Sequence, residues 1–161
     1  MSPIQHKNPI PTVDVIIELN SRILMIRRKN DPFKGWLALP GGFVNEGERI
    51  EDAARREANE ETSLNVCLSD ILGVYSDPKR DPRGHLVSIV FVGMIPVNND
   101  TKGVCASAQD DAAEIEWISL ETLANANIAF DHKKILFDYK AWKLSCGTFW
   151  SSKSKSNANA I

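Results

Sequence analysis

The stretch that decides the fold is GFVNEGERIEDAARREANEETSL, residues 42–64. Residues 49–62 contain no Gly or Pro and are rich in Ala, Glu and Arg, so they are predicted to form a helix. At about 100° per residue, Ala53, Ala54 and Ala58 share one face with Ile50, and we expect this face to pack on the core. The opposite, solvated face is predicted to hold Asp52, Arg55, Asn59 and Thr62.

Three glutamates of this helix do not lie on the solvated face. Glu57 and Glu61 point within about 20° of the direction of Ile50, and Glu60 about 80° from it. Carboxylates crowded on an inward side repel one another and lose hydration. A hard divalent cation would compensate them, since Mg²⁺ prefers oxygen ligands and is often shared with substrate phosphates. Arg56 lies four residues before Glu60 and is predicted to pair with it.

The residues before the helix suit a close approach of the backbone to a ligand. Pro40-Gly41-Gly42 presents glycines without a Cβ in the way, and Gly47 supplies a turn just ahead of the helix. Glu48 lies near the positive end of the helix dipole. Each glycine alone is typical of an ordinary turn, so the information lies in their placement before the glutamates.

Together these residues resemble the Nudix box, G-x5-E-x7-R-E-U-x-E-E-x-G-U, where U is aliphatic. Gly42, five residues, Glu48, seven residues and then REANEETSL (residues 56–64) match every charged position. Ala58 is a small occupant of an aliphatic position. Ser63 stands where the pattern has Gly, which would strain the backbone if a left-handed conformation is needed there.

The resemblance implies an α+β fold, a Nudix-type α/β/α sandwich with a mixed β-sheet. We expect a single domain over residues 1–150 and a disordered polar tail over residues 151–161. Apolar and β-prone runs separated by turns predict further elements. These are strands near 13–19, 23–26, 36–39, 64–75, 86–95 and 115–118, and a closing helix over 128–144.

The resemblance also implies roles for the acids. Glu57 and Glu61 would be the principal ligands of Mg²⁺, with Mn²⁺ as a substitute, and the backbone carbonyl of Gly41 often contributes. Glu60 would be a further ligand or a catalytic carboxylate that positions water. A metal-activated water would then attack one phosphorus of a nucleoside diphosphate linked to another group.

The general base of this family often lies on a loop outside the box. The polar loop over residues 98–113 offers Asp111, which we favour, and then Asp110. Glu114 follows just beyond it. The alternative for these acids is a capping or solvated role.

A second stretch, YSDPKRDPRGH over residues 75–85, looks like a segment of Nudix ADP-ribose pyrophosphatases. It indicates Tyr75, Arg80 and Arg83 as substrate-binding residues, with Arg28 as another phosphate contact. A salt-bridged turn is the alternative for each arginine. His132, in the similar stretch Phe130-Asp131-His132, is either structural or catalytic.

The expected reaction is hydrolysis of ADP-ribose to AMP and ribose 5-phosphate. The alternatives are hydrolysis of noncanonical or oxidised nucleoside triphosphates, hydrolysis of another nucleotide sugar, and a non-catalytic ADP-ribose-sensing regulator. A regulator would need a DNA-binding module, for which the short tail has no room.

Composition limits the partners. The chain has 161 residues and a formal net charge of −2, which argues against bulk binding of nucleic acid or of an anionic membrane. No apolar run has the length of a signal peptide or a membrane span, so a cytoplasmic protein is expected. The predicted partner is a small-molecule nucleotide, and a homodimer is possible. Acids concentrate over residues 45–61, and basic residues over 27–34 and 79–83.

Overall fold

The computed structural model describes residues 8–96 and 112–151. Along the chain, these residues form β1 (Ile10–Leu19), β2 (Arg22–Arg28), β3 (Leu37–Ala38), β4 (Gly41–Phe43), α1 (Ile50–Thr62), β5 (Cys67–Tyr75), β6 (Leu86–Met94), β7 (Ala112–Ser119), a 3₁₀ turn (Leu123–Asn125), α2 (His132–Ser145) and β8 (Phe149–Trp150).

The first two strands form an antiparallel hairpin. Its turn consists of Asn20 and Ser21, which both have positive φ, at 50° and 60°. Two such residues match the twist of the flanking strands, and Glu18 accordingly pairs with Ile23.

The strands form one mixed sheet in the order β3-β2-β1-β6-β5-β8, with β4 paired to β1 and β7 paired to β2. β1 runs parallel to β6 over most of its length. It runs antiparallel to β4, where Asp14 lies opposite Gly41. This pairing holds the glycine strand β4 against the buried centre of the sheet.

The sheet packs a helix on each face. Val13, Val15 and Ile17 of β1 belong to one apolar cluster with the alanines of α1, whereas Ile16 belongs to the other, with Ile135 and Leu136 of α2. Because strand side chains alternate between faces, the helices cover opposite sides of the sheet. The predicted α/β/α sandwich with a mixed sheet is therefore confirmed.

Helix α1 agrees with its prediction except at its last residue. Ala53, Ala54 and Ala58 are fully buried, as expected, but so is Thr62, which was assigned to the solvated face. Its hydroxyl donates to the Ala58 carbonyl at 2.5 Å, and this bond lets the polar side chain be buried in the last turn. Ser63 has φ 60°, the left-handed conformation for which the box has Gly.

The other differences between prediction and structure are two short strands and the start of α2. The strands β4 and β8 were not predicted, and α2 begins at His132 rather than at residue 128. The strands β4 and β8 are too short to show a periodic pattern in the sequence. No helix among the described residues is long and apolar enough to cross a membrane.

Candidate active site

A cavity of about 430 Å³ opens beside the glycine strand β4. Its lining includes Glu57 and Glu61 from α1, the two glycines of β4, and Arg28 from β2. It also includes residues far away in sequence, which are Arg80, Asp81, Arg83, Phe130 and His132. The acidic and basic segments seen in the sequence thus meet in one cavity.

Arg56 organises the acids of the box. Its Nε and Nη2 donate to the two carboxylate oxygens of Glu48 at 2.8 and 2.9 Å, and Nη1 donates to Glu57 at 2.7 Å. Nη1 also reaches Glu60 at 3.2 Å, which is the predicted pair, and Nη2 donates to the Phe43 carbonyl at 3.0 Å. The hydrogen bonds from Arg56 lower the pKa of Glu48 to about 2. One guanidinium therefore fixes the loop, the helix and β4 relative to one another.

Glu57 and Glu61 are the glutamates of the box that line the cavity. Burial raises the pKa of both, and for Glu61, with Glu57 and Asp14 nearby, it raises the pKa to about 8. Glu61 accepts a hydrogen bond from the Gly41 N–H at 2.9 Å. Both groups therefore lie where negative charge is costly without a cation.

Glu60 is placed differently. Its side chain is 48% exposed and it is absent from the cavity lining. Its predicted role as a metal ligand or catalytic carboxylate stays a prediction.

The glycines of β4 form a cradle that no larger residue could replace without movement. A Cβ on Gly42 would lie 2.5 Å from the carboxyl carbon and both oxygens of Glu57. A Cβ on Gly41 would overlap the Val13 carbonyl oxygen and lie 2.7 Å from Asp14 Oδ1. The backbone of β4 thus comes into direct contact with Glu57 and Asp14. The predicted approach of this backbone to a ligand stays a prediction.

The donor set fits a hard divalent cation. Among the described residues, no three His, Cys, Asp or Glu side chains form a ready-made metal cluster. Mg²⁺, however, commonly takes only one or two carboxylates and completes its shell with water and substrate phosphates. Glu57 and Glu61 supply two such carboxylates beside a glycine backbone.

A basic and aromatic wall completes the cavity. The Arg83 guanidinium lies over the Phe43 ring at 5.4 Å and over the Phe130 ring at 5.2 Å. Arg28 lies 4.8 Å from the Phe130 ring centroid and donates through Nε to the Pro32 carbonyl. Arg83 is also held by Asp81, to which its Nη2 donates at 2.7 Å. These contacts place two predicted substrate-binding arginines in the lining.

Arg80 also lines the cavity, but it is buried and already paired. It forms a two-pronged hydrogen bond with Asp131 at 2.7 and 3.0 Å, and its Nη2 lies 3.6 Å from Asp14. Its charge therefore holds the start of α2 against β1 as well as facing the cavity.

Tyr75 is not in the cavity lining. It is fully buried in the cluster beneath α2, and its hydroxyl donates to Asp138 Oδ2 at 3.0 Å. The alternation of β5 turns Tyr75 into the core, so a direct substrate contact has no support in this structure. Its contacts are those of a packing residue.

Of the three candidate general bases, the structure describes only Glu114. Asp110 and Asp111 lie outside the described residues. Glu114 is exposed and pairs with Arg27 at 3.3 Å, away from the cavity lining.

The sequence prediction missed Asp14, Asp81, Phe43 and Phe130, all of which line the cavity. Asp14 offered one signal, a carboxylate within the apolar run of β1. Asp81 and Phe130 lie inside the two stretches that carry the resemblance, but neither was assigned a role there. Phe43 offered no signal, because an aromatic residue near a turn is typical of a core as well.

Comparison with known proteins agrees with this geometry. The family model described as NUDIX domain matches residues 8–139. The chain belongs to the Nudix family. The resemblance found in the box is thereby confirmed.

Three relatives of this Nudix chain are informative. The ADP-ribose pyrophosphatase of Methanocaldococcus jannaschii is 51% identical over 138 residues, which cover 86% of this chain and 77% of that protein. The ADPR responsive transcriptional repressor NtrR of Acinetobacter baylyi is 30% identical over 137 residues, covering 81% of this chain but 53% of the repressor.

The third relative is a solved structure. It is a bifunctional NMN adenylyltransferase/ADP ribose pyrophosphatase from Francisella tularensis, complexed with AMP and a manganese ion. It has a TM-score of 0.69 and 31% identity, and the match covers 88% of this chain and 43% of that chain.

Proposed function

We propose that this Nudix chain hydrolyses the pyrophosphate bond of ADP-ribose, giving AMP and ribose 5-phosphate, with Mg²⁺ as cofactor. The observation that carries the proposal is the cavity that Glu57 and Glu61 line together with Arg28, Arg80 and Arg83. The 51% identity to an ADP-ribose pyrophosphatase supports the choice of substrate.

The acids of the box would hold the metal. Glu57 and Glu61 are its protein carboxylates, and Mn²⁺ is expected to substitute for Mg²⁺. When bound, the cation neutralises charge on the pyrophosphate and lowers the pKa of a bound water. Arg56 keeps Glu57 oriented, because it holds that carboxylate at 2.7 Å. The Gly41 N–H likewise holds Glu61.

The arginines would bind and orient the substrate. Arg28 and Arg83 present guanidinium groups to the same cavity as Glu57 and Glu61, which suits them to contact the phosphates. Arg80 adds positive charge from a buried position, shared with Asp131. Asp111 or Asp110 remains the proposed general base.

The substrate is tested by comparing kcat/KM across a panel with Mg²⁺. The panel contains ADP-ribose, NADH, ADP-glucose, diadenosine polyphosphates and 8-oxo-dGTP. ADP-ribose is expected to give the highest value. A triphosphate that exceeds it by an order of magnitude would overturn the substrate assignment.

The metal assignment is tested with Glu57→Gln. Loss of this ligand is expected to lower kcat by roughly 10³-fold, the equivalent of about 4 kcal/mol of transition-state stabilisation. Glu51→Gln is the matched control, since Glu51 is an exposed glutamate of the same helix outside the cavity lining. An active, folded Glu57→Gln enzyme would refute the metal site.

A cytoplasmic location and a homodimer stay predictions. The second can be measured directly by light scattering of the purified chain.

A further inference from the structure

A cluster of buried polar side chains lies at the bottom of the cavity, and the proposed reaction does not use it. We call Asp14, Ser88 and His132 the floor cluster; their exposed fractions are 7%, 0% and 4%. Asp14 and His132 also belong to the cavity lining. Polar side chains this deep are retained only when their partners compensate for lost hydration.

The contacts of His132 define the state of its ring. The Leu39 N–H donates to Nδ1 at 2.9 Å, so Nδ1 carries no proton. The proton of the neutral ring is then on Nε2, which lies 3.4 Å from Asp14 Oδ1. The other oxygen of Asp14 accepts a hydrogen bond from the Ser88 hydroxyl at 2.5 Å. Burial lowers the pKa of His132, although Asp14 opposes that shift.

Leu39, which His132 holds, is close in sequence to Gly41, the residue that contacts Glu61. Leu39 lies two residues before Gly41, and the Pro40 carbonyl between them accepts a hydrogen bond from the Val15 N–H at 2.8 Å. Gly41 pairs with Asp14 in the sheet, and its N–H donates to Glu61 at 2.9 Å. The segment 39–41 is thus fixed by His132 at one end and meets Glu61 at the other.

We propose that His132 is a positioning residue that holds segment 39–41 through the Leu39 N–H, so that the Gly41 N–H sets the orientation of Glu61. The polar contacts of the His132 ring are with the Leu39 N–H and Asp14, so it acts on Glu61 through the backbone. The inference rests on the proposed function only in taking Glu61 as a metal ligand.

Two substitutions separate the two contacts of the ring. His132→Asn places an amide oxygen near the position of Nδ1, keeping an acceptor for Leu39 and losing the group that faces Asp14. His132→Gln reaches toward Asp14 and loses the acceptor for Leu39. Each variant leaves one polar partner unsatisfied, so the two are matched in the kind of destabilisation that they cause.

The first measurement is the Kd of Mn²⁺ without substrate, by electron paramagnetic resonance, at a temperature where melting curves show both variants folded. His132→Gln is expected to weaken binding about 10-fold or more, the usual cost of losing a group that supports a ligand. His132→Asn should stay close to the wild type. Equal effects of the two variants, or no effect of either, would overturn the proposal.

The second measurement needs no metal. The Gly41 amide resonance should shift in Glu61→Gln and in His132→Gln, and much less in His132→Asn. If the wild type binds no Mn²⁺, the proposed metal site fails, while this resonance still decides whether His132 positions Gly41. An unchanged Gly41 resonance in His132→Gln would refute the positioning role.

The third measurement uses the wild type alone and guards against variants that do not fold. The ¹⁵N shifts of the His132 ring at neutral pH should show an unprotonated Nδ1 and a protonated Nε2. A protonated Nδ1 could not accept from Leu39, and that result would exclude the proposal.

Discussion

Replacing Gly42 with alanine should damage the site through a single methyl group. A Cβ at this position would lie 2.5 Å from the Glu57 carboxyl carbon, whereas non-bonded carbon atoms prefer about 3.5–4.0 Å. The Glu57 carboxylate must therefore move by about 1 Å, because the methyl group is fixed to the strand. Gly42 does not have a left-handed φ, so alanine causes no backbone strain there and the contact with Glu57 is its main effect.

The size of the loss follows from that displacement. A misplacement of about 1 Å in a catalytic arrangement can cost on the order of 100-fold in rate. We therefore expect Gly42→Ala to lower kcat/KM for ADP-ribose by about 100-fold and to weaken Mn²⁺ binding. The assay is steady-state kinetics with Mg²⁺, together with a Mn²⁺ titration and a thermal melt.

Gly35→Ala separates this effect from loss of stability. Gly35 has φ +82° with no atom within 4 Å of a new Cβ, and it is outside the cavity lining. That variant should lose about 1–2 kcal/mol of stability through backbone strain and keep its activity at assay temperature. If Gly42→Ala keeps kcat/KM within about threefold of the wild type and binds Mn²⁺ equally well, the position assigned to Glu57 is refuted.

Two further predictions concern side chains away from the reacting atoms. Arg56→Lys should weaken Mn²⁺ binding by about 10-fold, because one ammonium nitrogen cannot reproduce the forked hydrogen bonds of the guanidinium to Glu48 and Glu57. Arg55→Lys, on the exposed pair with Asp52, is its control in the same titration, and equal affinities would contradict the role of Arg56. Tyr75→Phe should lower the free energy of unfolding by about 1–2 kcal/mol in urea, since the buried Asp138 loses a donor. Its KM should not change, and a large rise in KM would restore Tyr75 as a substrate contact.

The sequence was sufficient for the parts of the site that lie on one helix. Helical periodicity alone placed Glu57 and Glu61 on the inward side, and both line the cavity. The same wheel failed at Thr62, because a side chain in the last turn can bond the preceding turn and be buried. Periodicity describes direction around a helix and carries no information about such local bonds.

Contacts between residues that are far apart in the sequence could not be predicted in this way. The partner of Arg80 is Asp131, 51 residues away in the chain, and the partner of Leu39 is His132, 93 residues away. Such pairs depend on the register between β1, β4 and β6, which no local pattern fixes. Tyr75 shows the converse limit of a motif, since the motif indicates a substrate contact while the side chain is buried in the core.

The arrangement of charge explains how a chain of net charge −2 can bind an anionic substrate. Of the arginines in the cavity lining, Arg80 is held by Asp131 and Arg83 by Asp81. Because each guanidinium is already oriented by a carboxylate, little side-chain entropy remains to be lost when substrate binds. The acids that cancel the net charge are therefore the groups that preorganise the bases. Removing one of them should raise the positive charge of the cavity and yet weaken substrate binding, the opposite of what bulk electrostatics alone predicts.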